Sequence, residues 1–239
     1  MEPINKILFH NGQYFAWKKG DLHTQYGLLK EDVLKKAKGI ITSNIGKEFN
    51  VLEPHFTDLI KKATRGPQII TNKDIGLILT ETGLNKTSVV LESGTGSGFL
   101  TCHLAKIVKK VITYERRDDF QKIAKDNGAL LGFKNITFKL KDIYEGIEEK
   151  NMDTIILDLP EPWRVVESSF NALKTGGYFV VYVPGIDQVS TFIKEAQKKF
   201  FLIKVTELLQ REWHVEEGRV RPESQMMGHT GFLCFLRKL

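Results

Sequence analysis

Cysteine is scarce in this chain. Cys102 and Cys234 are the two among 239 residues, too few for a disulfide framework and not spaced as metal ligands. A reducing compartment, the cytoplasm, is therefore expected, and no metal. Long uncharged apolar runs are missing as well, so no membrane-spanning helix is expected. The first residues, Met1 to Asn5, hold no basic segment followed by an apolar core, and no secretory signal is expected from them. Internal repeats and low-complexity tracts are absent. What remains is ordinary globular usage, 41% hydrophobic and 27% charged residues, in a length that suits one domain with a small appendage. The net charge of +6 is compatible with a polyanionic partner without requiring one.

Two rhythms divide the chain. Up to about residue 56, short segments such as Lys6–His10, Gln13–Trp17, Gly39–Thr42 and Glu48–Glu53 alternate apolar and polar residues. Turn signals, Asn11-Gly12 and Lys18-Lys19-Gly20-Asp21, lie between them, which is hairpin grammar. A small all-β domain over residues 1–63 is expected, with a short amphipathic helix over 57–65 leading out of it. From 64 to 239 continuous apolar runs alternate with helical stretches, as parallel strands covered on both faces do. The expected strands are 88–92, 110–115, 135–139, 153–158 and 177–183, and the expected helices are 99–108, 118–131, 163–174 and 187–199. Phe201–Trp213 and Gly231–Arg237 both read as strands with no helix between, so an antiparallel pair at one sheet edge is expected.

The chemistry gathers at the carboxyl ends of these strands. The first runs through Glu92-Ser93-Gly94-Thr95-Gly96-Ser97-Gly98 straight into a helix. Glycines there let a ligand approach the backbone, and the helix start offers free amides. The spacing Gly-x-Gly-x-Gly, with an acid two positions ahead, departs from the dinucleotide fingerprint and disfavours a nearby pyrophosphate. Glu115 ends the second strand, where a carboxylate accepts both hydroxyls of a ribose, and Asp142 after the third is placed for an adenine amino group. The fourth ends in Asp158-Leu159-Pro160-Glu161-Pro162-Trp163. Its prolines fix the backbone, and its carboxylate suits an exocyclic amine and a developing positive charge.

These features resemble the class I, Rossmann-like S-adenosylmethionine-dependent methyltransferases. That resemblance implies a seven-stranded sheet with its last strand reversed. It also implies that Gly94, Gly96 and Gly98 wrap the methionine portion of the cofactor, Glu115 holds the ribose, and Asp142 with Ile143 the adenine, with Glu92, Thr95 and Ser97 also in the cofactor site and Asp158 at the methyl group. More narrowly, the glycine loop, the Asp158–Trp163 segment and Gly228-His229-Thr230-Gly231-Phe232-Leu233 look like the tRNA (adenine-N1)-methyltransferase family in its archaeal and bacterial homomeric form. The likeness continues upstream through residues 65–70 and Lys73-Asp74. Membership implies methylation of N1 of adenine 58 in the tRNA T loop, in archaeal members also 57, by a homotetramer, with Asp158 catalytic. Trp163, Arg221 and His229 are the expected RNA contacts, although His229 has an equal alternative as an organiser of backbone. One departure stands out: Thr71-Asn72 precedes Lys73-Asp74 where the family usually carries Tyr or His and then Pro. A ring that would stack on the target base is missing there. Three rivals stay open: a methyltransferase acting on a small molecule or protein, a nicotinamide-dependent oxidoreductase, and a non-catalytic RNA-binding subunit.

Overall fold

The computed structural model describes residues 4–66 and 69–239. Met1 to Pro3, which bear on the signal expectation, and Pro67-Gln68, within the family-like stretch, lie outside the described residues. The chain forms two compact units, residues 1–63 with 129–132, and residues 64–128 with 133–239.

In the first unit, strands β1 (Lys6–His10), β2 (Gln13–Trp17), β3 (Leu22–Thr24) and β4 (Gly27–Leu29) are followed by helix α1 (Glu31–Lys36), strands β5 (Gly39–Thr42) and β6 (Glu48–Leu52) and helix α2 (Phe56–Ile60). An antiparallel sheet runs in the order β2-β1-β6-β5, and β3 pairs with β4. His10 faces Gln13 across the turn, and both Asn11 and Gly12 take positive φ, the two-residue turn whose twist matches its strands. Leu8, Trp17, Leu29, Leu34 and Phe49 form the core. The unit is not wholly β, because α1 places Leu34 in that core. Helix α2 is also shorter than expected, ending at Ile60.

The second unit runs α3 (Asn72–Thr82), β7 (Val89–Ser93), α4 (Phe99–Ala105), β8 (Lys110–Glu115), α5 (Asp118–Leu130), β9 (Ile136–Leu140), β10 (Met152–Asp158), α6 (Val166–Ala172), β11 (Leu173–Val183), α7 (Ile186–Ala196), β12 (Phe201–Thr206), β13 (Trp213–Glu216), β14 (Arg219–Pro222) and β15 (Phe232–Arg237). Its seven-stranded sheet has the order β12-β15-β11-β10-β7-β8-β9. The strands from β11 to β9 are parallel. β15 lies antiparallel between β11 and β12, the reversed last strand that the sequence resemblance implies. Leu91, Ile155, Leu157, Phe179, Val181 and Phe192 are buried in its core, as the continuous apolar runs require.

Two expectations need correction. The strand beginning at Phe201 stops at Thr206, because β15 starts at Phe232 and its last partner is Thr206, opposite Leu233. Trp213 instead opens a separate hairpin in which β13 pairs with β14. The helix placed over 163–174 is a 3₁₀ turn over Pro162–Val165 followed by α6, and Leu173 already belongs to β11. Sequence reasoning also misses α3, whose buried Ile75, Ile78 and Thr82 show the spacing of an amphipathic helix.

Candidate active site

Parallel topology brings the ends of β7, β8, β9 and β10 to one side of the sheet, where ligands bind in such folds. A cavity of about 470 Å³ opens there, lined by residues that include Ser93, Gly94, Gly96, Ser97, Glu115, Asp142, Ile143 and Asp158. The loop after β7 depends on glycine. Gly94 has φ +92°, and a methyl group on it would lie 2.1 Å from the Asp158 main-chain oxygen, so the loop crosses directly over the end of β10. Ser97 is buried, its hydroxyl has no hydrogen-bond partner among the described residues, and the residue lines the cavity. A buried orphan hydroxyl is costly unless a ligand satisfies it, and here a polar ligand fits.

Glu115 holds the loop from the next strand. One carboxylate oxygen accepts the Gly96 N–H at 3.0 Å and the other the Arg117 N–H at 3.0 Å. Each oxygen keeps a further lone pair, enough for two hydroxyls of a sugar. Asp142 accepts the Tyr144 N–H at 3.0 Å, which opens a 3₁₀ turn and buries Ile143 beneath it. Arg116 lies 3.9 Å from the second Asp142 oxygen.

Asp158 is different. No hydrogen bond holds its carboxylate among the described residues, and burial alone pushes its pKa up to about 6. It is thus ionised at neutral pH yet unspent, ready to accept from a bound group. Its loop is clamped from a strand away: Gln188 donates to the Pro160 carbonyl at 2.9 Å and accepts the Gly185 N–H at 3.0 Å. Sequence reasoning does not single out Gln188, nor Arg117, which stacks on Phe120 at 4.0 Å in the same cavity wall.

Glu92 and Thr95 sit behind the loop, outside the cavity lining. Glu92 is fully buried and accepts from Thr101 at 2.6 Å. Burial raises its pKa to about 8 against the opposing hydrogen bonds of Thr101 and Thr113. Thr95 donates to the Tyr114 carbonyl at 3.1 Å and meets the Thr113 hydroxyl at 2.6 Å. Thr113 thus lies between the Thr95 hydroxyl and the Glu92 carboxyl. Because the folded-state pKa is raised, the folded protein binds the proton more tightly, and stability falls as pH rises from about 4.5 to about 8. Glu92→Gln mimics the neutral acid, so its melting temperature should gain on wild type by several degrees between pH 5 and pH 8. Parallel melting curves would reject a neutral Glu92.

The expected RNA contacts are not gathered at this cavity. Trp163 packs against the core. Arg221 lies on β14, where its guanidinium donates to the Pro222 carbonyl at 3.3 Å and to the Ser224 hydroxyl at 3.1 Å. His229 has both ring nitrogens engaged, Nδ1 with the Glu207 carboxylate and Nε2 with the Pro184 carbonyl at 2.7 Å. Both acceptors lack protons, and the Glu207 hydrogen bond, followed by that to Pro184, raises the pKa of the ring. Pro184 lines the cavity, and His229 ties the carboxyl-terminal segment to that wall.

Beside these features stand the likenesses to known proteins. Residues 62–221 match the family described as "tRNA methyltransferase complex GCD14 subunit". The chain is 36% identical over 228 residues to the tRNA (adenine(57)-N(1)/adenine(58)-N(1))-methyltransferase TrmI of Methanocaldococcus jannaschii, covering 82% of this chain and 81% of that one. Among solved structures, tRNA (m1A58) methyltransferase TrmI of Aquifex aeolicus superposes with a TM-score of 0.83 at 31% identity, over 100% of this chain and 98% of that one. A structure described as an S-adenosylmethionine-dependent O-methyltransferase of Thermotoga maritima gives 0.86 at 32% identity, over 100% and 94%.

Proposed function

Since this chain belongs to the tRNA methyltransferase complex GCD14 family, we infer that it transfers a methyl group from S-adenosylmethionine to N1 of adenine in the tRNA T loop, at position 58 or its neighbour 57. The observation that carries the reading is the unpartnered Asp158 at the end of β10, against a glycine loop whose buried Ser97 hydroxyl has no partner among the described residues. Gly94, Gly96 and Ser97 would hold the amino-acid portion of the cofactor, Glu115 the ribose hydroxyls, and Asp142 with Ile143 the adenine. The cofactor supplies an activated methyl group on sulfur, which needs no further electrophile.

Adenine N1 lies on the Watson–Crick edge, so the nucleotide must leave its stack or tertiary pair before reaction. Asp158 then accepts a hydrogen bond from the N6 amine, aligns N1, and offsets the positive charge that methylation leaves on the ring. A protonated Asp158 does neither. Activity is therefore present above its pKa of about 6 and lost as pH falls through it. The test is labelled-methyl transfer to unmodified tRNA transcripts. The Thermotoga likeness gives a second reading, in which the acceptor is an oxygen of another molecule; label that never enters RNA would favour it.

A homotetramer belongs to the same proposal. In the β13–β14 hairpin, Val215 faces Val220 and Trp213 faces Pro222, so these apolar residues share one face, while Arg219, Arg221, His214 and Glu216 share the other. Val215 and Val220 are 71% and 66% exposed, and one side of edge strand β12 exposes Phe201, Ile203 and Val205. Such a ribbon is marginal by itself, and an apolar patch of this kind marks a contact. Val215→Glu with Val220→Glu should break the assembly into smaller species by light scattering; a mass unchanged from wild type would move the interface elsewhere. No helix among the described residues is long and apolar enough to cross a membrane, and the cytoplasm, where tRNA is found, is the proposed location.

A further inference from the structure

Thr230 lines a second cavity of about 340 Å³, and its neighbour His229 bonds to the Pro184 carbonyl at the wall of the first. Fully buried Asp74 organises the near wall. It accepts from Thr71 at 2.7 Å, from Thr230 at 2.9 Å and from Lys73 at 2.9 Å, and Lys73 also donates to the Thr230 hydroxyl at 2.6 Å. The lysine charge is cancelled and the threonine protons are spent. This wall is neutral, and Glu212 and Glu223 in the same lining oppose a phosphate.

A flat, uncharged ring suits it better. Gln210 and Gln225 bring amides to the lining, and Met226 and Met227 are its large apolar side chains, with no aromatic ring among its described residues. Both methionines are exposed, at 42% and 64%, and polarisable thioethers favour the faces and edges of aromatic rings. Tyr182 connects this wall to the chemistry. It stands opposite Asp158 in the β10–β11 register, its hydroxyl donates to the Thr230 carbonyl at 2.5 Å, and it feels both the Asp74 and Asp158 charges. Gly231 makes this possible, since a methyl group there would lie 2.4 Å from the tyrosine ring.

We propose that the target adenine, once unstacked, rests a face on Met226 and Met227 in this second cavity, with its N6 edge toward Asp158. The proposal rests on the tRNA methyltransferase reading. It assigns to two thioethers the base-holding contact that Thr71, committed to Asp74, does not make.

The chain's four methionines allow a direct test with methyl-¹³C-methionine protein in the presence of S-adenosylhomocysteine, signals being assigned by single Met→Leu variants. On adding unmodified tRNA transcript, the Met226 and Met227 methyl signals should shift upfield under the ring current of the base, while that of buried Met152 stays. Met226→Ala with Met227→Ala should lower kcat/KM for the transcript by about tenfold with cofactor affinity unchanged, and the paired leucine variant should recover most of the loss. If wild type methylates the transcript while these signals stay still and the alanine pair keeps its rate, the proposal is wrong and the wider reading stands. Shifts that follow protein concentration without RNA would overturn it in favour of a contact between copies. A wild-type protein that methylates no RNA overturns both.

Discussion

Asp158→Ala should lose about a hundred- to ten-thousand-fold in methyl transfer to tRNA while still binding the cofactor and folding. The effect is electrostatic. The carboxylate is raised to about 6 by burial without a compensating partner, so its ionisation at neutral pH costs stability that, on the proposed role, the substrate amine and the cationic product would recover. Removing it leaves no orphaned donor behind. The sign of the linkage sharpens this, since a raised carboxylate pKa means that folding stability declines as pH rises from about 4 to about 6. The alanine variant should therefore melt no lower than wild type at pH 7.5 and possess an activity profile without the inflection near 6. Asp158→Asn keeps an acceptor but not the charge and should fall between the two. A variant that retains wild-type kcat with cofactor affinity intact would remove Asp158 from the chemistry.

Gly94→Ala should cost on the order of 3 kcal/mol of stability and lower cofactor affinity by roughly a hundredfold. Two effects act together. The backbone at φ +92° disfavours any side chain, and the added methyl would meet the Asp158 carbonyl oxygen at 2.1 Å and its Cβ at 3.2 Å. Neither contact can be relieved by rotating a flexible side chain, so either the loop or the end of β10 must move, and both line the cofactor cavity. Gly218→Ala separates the two effects. It also has positive φ, but an added methyl there meets nothing within 4 Å, so only the backbone penalty of about 1 kcal/mol should appear. Thermal melts with calorimetric titration of the cofactor read both. Equal losses in the two variants would show that crowding against Asp158 is not what Gly94 prevents.

Local signals account for most of what the sequence shows. The apolar runs of β7, β8, β10 and β11 identify parallel strands because each is buried on both faces, and Asn11-Gly12 identifies its hairpin because the turn needs two positive φ values. Glu115, Asp142 and Asp158 reach one cavity because parallel topology aligns strand ends. Other parts depend on partners far along the chain. The Asp74–Thr230 bond spans 156 residues, and the Gln188 clamp on Pro160 spans 28, so no spacing rule reveals either. Trp213-His214-Val215 alternates like the continuation of β12, and only the start of β15 at Phe232 shows why it cannot be one. Glu92 reads like a ligand-facing carboxylate from its place near a strand end, but threonines from α4 and β8 enclose it, and that enclosure is tertiary.

The most direct test of the account is transfer of labelled methyl from S-adenosylmethionine to unmodified tRNA transcripts, comparing intact T loops with ones in which adenosine 57 or 58 is replaced. Incorporation into the intact transcript that vanishes with one replacement, or halves with each, is the predicted result and identifies the adenine. Binding of cofactor by the protein with no label entering RNA would contradict it and direct the search to a different acceptor.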